Sequence, residues 1–187
     1  MERITVKCGP NAISLEDVDK FDVINADMTL QVYDSGNVVK YQPNTSVLIT
    51  AEGTTQTSLL VLAYDAPSRI HEHSAACARN TLVAIVGSFA ICLTPDLQTV
   101  LWQRRCDIAS CLGIYALPGE QELIVHGELT ITKLTVDGEI VWQTAGRDTF
   151  TGPFSLTSTA AFATDFYGTR YMIGLPEGNI IVMPPDK

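Results

Sequence analysis

An internal repeat constrains this chain more than any other feature. Val83–Ile91 aligns without a gap on Leu123–Ile131, forty residues on, and Thr99–Gln103 aligns on Glu139–Gln143 at the same offset. Gly87/Gly127, Ile91/Ile131, Trp102/Trp142 and Gln103/Gln143 are identical pairs. A worn third copy continues the period. Glu177–Val182 follows Asp137–Trp142 by forty, with Val182 where the tryptophans stand and Tyr171 where the isoleucines stand. A unit repeated at this period cannot bury its apolar faces alone, so the copies must stack on one another.

Each copy has the same grammar. An apolar strand meets a glycine-containing turn, then an alternating strand, a polar turn, and a strand ending on a large residue. Connecting segments at Leu112–Leu117 and Phe154–Thr157 supply a fourth strand. Four short strands in about forty residues is the sequence form of a propeller blade.

The first third does not repeat. It offers a strand at Arg3–Lys7, a short helical segment at Leu15–Phe21 behind Ser14, and a hairpin from Met28 to Tyr41 through Asp34-Ser35-Gly36. Strands at Ser46–Ala51 and Thr57–Tyr64 follow. The expectation is one all-β domain over 1–187, with a non-repeating region at 1–67 and repeated antiparallel meanders at 68–187. These meanders form an incomplete or small propeller-like array, and Arg3–Lys7 pairs with the last unit. The alternative is a two-layer β-sandwich.

Leu93–Trp102 and Leu134–Trp142 resemble the blade endings of quinoprotein-type (PQQ-like) β-propeller repeats, in which a turn leads to a strand ending in tryptophan. The resemblance spans about residues 80–187. It implies blade-like sheets whose tryptophans pack between neighbours. It does not imply quinone chemistry, because the chain has room for fewer sheets than a cofactor-binding ring, and no cofactor is expected. Val141–Phe150, with Asp165-Phe166-Tyr167-Gly168, is also similar to small uncharacterised bacterial proteins, a similarity that brings no activity with it.

Charge narrows the partners. The net charge is −9, and Arg104-Arg105 is the one basic pair, so nucleic acid is not an expected partner. A basic protein is favoured electrostatically. Leu82–Leu93, the longest mostly apolar run, is broken by Gly87 and Ser88 and is too short to span a membrane as a helix. The start of the sequence has no apolar signal core. Five cysteines without a CxxC pair read as reduced thiols, and the expected location is cytoplasmic.

Chemistry finds few residues. His71-Glu72-His73, with Cys77 four further on, is the sharpest cluster. In a strand both imidazoles share a face, so His71, His73 and Cys77 are candidate metal ligands, against the plainer reading of a polar turn. Arg147 and Asp148 form a candidate binding patch in an inter-repeat loop, or else a pair that orders the loop. Cys106 and Cys111 have no base placed beside them by sequence, and no Gly-x-Ser-x-Gly elbow or phosphate loop occurs. The expected function is a non-catalytic binding or interaction module, one version being an immunity-type protein that masks a basic toxin. The alternative is a small metal-dependent enzyme or ligand sensor using His71, His73 and Cys77.

Overall fold

The computed structural model describes residues 2–18, 26–32, 43–53 and 56–184, with the backbone alone for 28–32. All the described regular structure is β. Sheet I holds β1 (Arg3–Cys8), β2 (Asn11–Asp17), β3 (Met28–Val32), β4 (Thr45–Glu52) and β5 (Thr57–Ala63) in the order β1-β2-β4-β5-β3. Sheet II holds β6 (Ala75–Ala78), β7 (Thr81–Val86), β8 (Phe89–Leu93) and β9 (Val100–Arg105). Sheet III holds β10 (Cys111–Ala116), β11 (Glu122–Gly127), β12 (Thr130–Thr135) and β13 (Ile140–Ala145). Sheet IV holds β14 (Phe154–Leu156), β15 (Ala160–Thr164), β16 (Arg170–Gly174) and β17 (Ile180–Val182). Sheets II to IV are antiparallel meanders in chain order, the blade topology expected from the repeat.

Three apolar cores join the sheets in series. Leu15, Ile49, Val61, Leu82, Ala84 and Ile91 pack between I and II. Val83, Ile85, Cys92, Leu123, Val125 and Leu134 pack between II and III. Ile124, Ile131, Ala161, Tyr171 and Ile173 pack between III and IV. The β-strand period of two puts Leu82 and Ala84 on one core and Val83 and Ile85 on the next, so sheets II and III are apolar on both faces.

The tryptophans make the joints. Trp102 at the end of sheet II donates its indole N–H to the Val136 carbonyl of sheet III at 2.8 Å, and Trp142 of sheet III donates to Leu175 of sheet IV at 3.0 Å. Each indole lies on a glycine with a left-handed backbone. A Cβ on Gly138 (φ 84°) would sit 2.6 Å from Trp102 Cδ2, and one on Gly178 (φ 72°) 2.6 Å from Trp142 Cδ2. Only glycine meets both demands. The same turns are clamped again forty residues apart, by Arg104 Nε on Gly138 O at 2.8 Å and Thr144 Oγ1 on Gly178 O at 2.7 Å.

Several expectations are corrected. Leu15–Asp17 belongs to β2, where Ser14 accepts a hydrogen bond from Arg3 across the ladder instead of capping a helix. Val18 continues the chain beyond β2 with its amide on Ser46 O at 2.9 Å, and residues 19–21 of that helical segment lie outside the described residues. So do Tyr33, the Asp34-Ser35-Gly36 turn and its returning strand. Met28–Val32 does form a strand, but it runs parallel to β5. β1 pairs with β2, not with the last unit.

The repeat register also shifts. Leu82 pairs with Leu93 as Leu123 pairs with Leu134, and both leucines face the preceding sheet. The gapless alignment of Val83 on Leu123 is therefore one residue off, which would exchange the two faces of the strand. The extra residue lies in the turn closed by Thr94 N–H on Thr99 O, which in the next copy is closed by Thr135 N–H on Glu139 O. In sheet IV the bulge before the last strand is absent. Ile181, opposite Met172, takes the place of Trp142 opposite Lys133, while Val182 stands one place further on. Tyr171 likewise takes the place of Thr132, not Ile131.

Cys8 and Cys77 form a disulfide with Cα atoms 5.4 Å apart, tying β1 to β6. The expectation of reduced thiols is thereby corrected for these two. Cys92, Cys106 and Cys111 remain free and buried.

Candidate functional site

The linkers between sheets and the turns joining the second and third strands of sheets II, III and IV lie along one edge of the array, called here the linker edge. Carboxylates order it, Asp107 and Asp165 buried and Asp65 half-buried. Asp65 Oδ2 accepts from the Ser88 amide at 3.2 Å and from its hydroxyl in a very short contact. Asp107 Oδ2 accepts from the Leu129 and Thr130 amides at 2.8 and 3.0 Å, and its Oδ1 from the Ala109 amide at 2.8 Å. Asp165 takes the Tyr167 and Thr169 amides and the Tyr171 hydroxyl. Burial raises the Asp165 carboxyl, but the hydrogen bonds from Tyr171, Thr169 and Tyr167 outweigh it and hold it below the ordinary carboxylate range. Asp65 and Asp107 each stand near the start of an inter-sheet linker, a recurrence hidden in the sequence because Asp65 falls within the region 1–67 that does not repeat.

On this ordered base stand exposed apolar side chains. Ile108 is 73% exposed, Phe166 69% and Tyr167 78%, with the two rings edge to face at 5.4 Å. Between the linkers runs a cleft of about 390 Å³ lined by Arg105, Ile108, Leu129, Gln143, Arg147 and Asp148. Its floor is tied down, with Gln143 Nε2 on Cys106 O and Thr132 Oγ1, both at 2.8 Å. Arg147 and Asp148 thus share a cleft. Asp148 Oδ1 receives the Thr149 amide at 2.7 Å, and the exposed Arg147 guanidinium has no partner among the described residues.

The three histidines lie along one aromatic ladder. His71 meets His73 at 6.2 Å, His73 meets Tyr115 at 4.7 Å, Tyr115 meets Phe154 at 5.1 Å, and Phe154 stacks on His126 at 4.3 Å. This ladder runs from the turn before sheet II, across β10 and β11 of sheet III, to β14 of sheet IV. His126 is buried and its Nε2 meets Phe150 O at 2.9 Å. Burial pushes its imidazole down to about 4, against the opposing pull of that carbonyl and of Asp107. Burial, helped by Glu72, pushes the Tyr115 hydroxyl up to about 12.

The candidate metal ligands His71 and His73 stand in a turn, the plainer of the two sequence readings, and not in a strand. The turn is closed by Ser74 N–H on His71 O at 2.9 Å, and the His73 amide is 3.2 Å from His71 Nδ1. Burial first, then His73, lowers the His71 imidazole. Cys77 is bonded to Cys8, so it offers no thiolate to a metal in this state. Among the described residues no group of three His, Cys, Asp or Glu side chains is arranged to hold a metal ion. Burial pushes the Cys106 thiol up to about 12 and the Cys111 thiol well above its ordinary value, the opposite of what a thiolate nucleophile needs.

No family model and no curated protein matches this sequence. Solved structures do. BamB from Moraxella catarrhalis aligns with a TM-score of 0.50 at 14% identity, over 97% of this chain and 63% of that one. The β-propeller domain of Cps50 (Swd1) from Myceliophteria thermophila aligns with a TM-score of 0.51 at 9% identity, over 77% of this chain and 56% of that one. The fold is propeller-like. At these identities the likeness establishes the fold alone, and the chain spans less than two thirds of either structure.

The opposite edge differs in charge. Its turns expose Asp96, Glu120, Asp137, Glu139 and Glu177. Arg79 is held among them, with its amide on Glu120 at 2.9 Å and its guanidinium 3.8 Å from Asp137.

Proposed function

We propose that the chain is a non-catalytic protein-interaction module that meets its partner with the linker edge. The observation that carries this reading is the exposure of Ile108, Phe166 and Tyr167 around a cleft lined by Arg105 and Arg147. Aromatic and arginine side chains are the ones enriched at interface centres, and a rigid base lowers the cost of ordering them on binding. The four sheets act as one domain in this reading, supported by the three cores that join them in series. The tryptophan-ended strands keep the likeness to quinoprotein-type repeats at the level of the sheet joint, with no quinone site. The Cys8–Cys77 bond favours an oxidising compartment over the cytoplasm.

The test is affinity capture with the unaltered chain beside a Phe166→Ser/Tyr167→Ser variant. A partner retained by the first and lost by the second supports the reading. A partner retained equally by both removes it.

A second reading rests on the acid-rich opposite edge. That edge suits a basic partner, including a basic toxin masked by an immunity-type protein, and the net charge of −9 would speed the encounter. Replacing Glu120, Asp137 and Glu139 by their amides should then abolish capture at low salt, while the Phe166/Tyr167 variant leaves it intact.

A further inference from the structure

We propose that β17 is a self-pairing edge, through which two copies of this chain join sheet IV to sheet IV about a twofold axis. This surface is separate from the linker edge and does not depend on the reading above.

β9, β13 and β17 are the outer strands of their sheets. An outer strand carries a row of unpaired backbone groups, and a charge or a bulge keeps it from pairing with another chain. The first two are blunted in this way. Leu101 is an extra residue in β9 between the partners of Cys92 and Leu93, and Val141 is an extra residue in β13 between those of Lys133 and Leu134. Each bulge bends its strand and disrupts the spacing of the outward groups. Both strands also reach into the next sheet, β9 through Trp102 and Arg104 and β13 through Trp142 and Thr144. β17 has none of these devices. Its register on β16 is unbroken, it reads Ile-Ile-Val with no charge, and its side chains are 37%, 55% and 44% exposed.

The phase of the hydrogen bonds identifies the occupant. The Met183 amide donates to Arg170 O at 2.8 Å, and the Gly174 amide donates to Asn179 O at 2.9 Å. Bonded pairs alternate along an antiparallel ladder, so Ile181 turns its backbone groups toward Met172, while Ile180 and Val182 turn theirs outward. Among the described residues no strand takes them. These free groups are symmetric about Ile181. A second β17, antiparallel and centred on Ile181, matches them in full. Ile180 of each copy then exchanges both backbone bonds with Val182 of the other. The side chains match as well. Register sets Phe162, Met172 and Ile181 side by side, and the period of two turns them away from the core that holds Ala161, Ala163, Tyr171 and Ile173. The twofold places Ile181 against Ile181 and joins these rows into one apolar strip across both copies. An edge that complements itself gives an isologous interface that closes at two chains.

The strand is short and buries little area, so the dimer is weak, with a Kd on the order of 100 μM. Sedimentation equilibrium of the full chain on either side of that concentration is the test. Ile181→Lys and Ile181→Glu each set a like charge against itself at the axis and should weaken the dimer about ten-fold. Both variants should melt as the unaltered chain does, because position 181 is exposed. Mixed at low salt, the two should pair with each other about as tightly as the unaltered chain pairs with itself. In hydrogen exchange the Ile180 and Val182 amides should gain protection as concentration rises, while the Ile181 amide, already turned to Met172, should not change. The Phe166→Ser/Tyr167→Ser variant should dimerise normally, which separates this surface from the linker edge. A chain that stays monomeric, a dimer that either single variant leaves intact, or a mixture that does not pair overturns the proposal. So does a monomer whose Ile180 and Val182 amides are protected only by a captured partner, which would give the edge to another protein's strand.

Discussion

The joint between sheets I and II and the joints among sheets II, III and IV solve one problem with different chemistry. In each case a donor from the preceding sheet reaches a carbonyl at the same place in the next sheet's third turn. At the repeated joints the donor is an indole N–H, bound to Val136 and Leu175. At the first joint it is the Asn11 side chain, bound to Pro95 O at 2.7 Å. The repeated joints press the indole flat on a glycine. The first has no tryptophan, so Leu97 stands where Gly138 stands in the next copy, accepts a φ of 61°, and drops its side chain into the core. It adds the Cys8–Cys77 bond. The position of the carbonyl is thus set by the turn, while the group that fills the space before it varies with the sheet that precedes.

The largest test of this contrast is the disulfide. It closes a loop of 69 residues, so Cys77→Ser should lower unfolding stability by about 4 kcal/mol in denaturant melts. Hydrogen exchange should place the new opening in β1, β2 and β6. Opening that begins in sheet IV would break the comparison.

At the repeated joints, Trp102→Ala should cost about 3 kcal/mol, from the lost indole packing and its hydrogen bond. Gly138→Ala should cost a similar amount, because the new methyl meets the indole and the backbone is left-handed there. The double variant should cost little more than either alone, since both remove one contact.

Acid should weaken the joint between sheets III and IV. His126 titrates near 4 when folded and near 6.5 when unfolded, so the unfolded chain binds the extra proton between those values. The stability this neutral imidazole contributes is intact above about pH 6.5 and falls by about 3 kcal/mol as the pH drops toward 4. His126→Phe should flatten that part of a stability-against-pH curve.

The smallest effect belongs to Leu97→Gly. Losing its buried side chain costs about 2 kcal/mol, and relief of the left-handed backbone returns about 1. A net loss near 1 kcal/mol is the expected melt result. A loss as large as that of Trp102→Ala would mean that Leu97 is as central to its joint as the tryptophan is to the next.

The repeated sheets were legible because strand, turn and tryptophan recur with little interruption from Val83 to Gln143. Their register was not legible, because one extra residue in the turn after Leu93 is invisible when both faces of a strand are apolar. Val83 and Leu123 both suit a core, and only their opposite facings separate them. Sheet I was readable as strands at Arg3–Lys7, Ser46–Ala51 and Thr57–Tyr64, but not as a sheet, since β2 and β4 pair over a long connection and β3 joins β5 in parallel. Leu15–Asp17 reads as a helix start from Ser14 and Asp17, spaced as a loose capping box, yet the ladder to β1 and β4 overrides that local preference. At the candidate site, Arg147 and Asp148 were visible as a loop pair. Their cleft partners Arg105 and Ile108 lie some forty residues earlier and come near only when sheets II and III stack. The cysteine pairing was hidden for the same reason.

The account turns on the linker edge, and a footprint tests it most directly. Hydrogen exchange of the chain alone and with its captured partner should show protection at 105–110, 128–130, 145–150 and 165–170. Protection confined to the opposite edge, at 94–99, 117–121, 135–139 and 175–179, would contradict it.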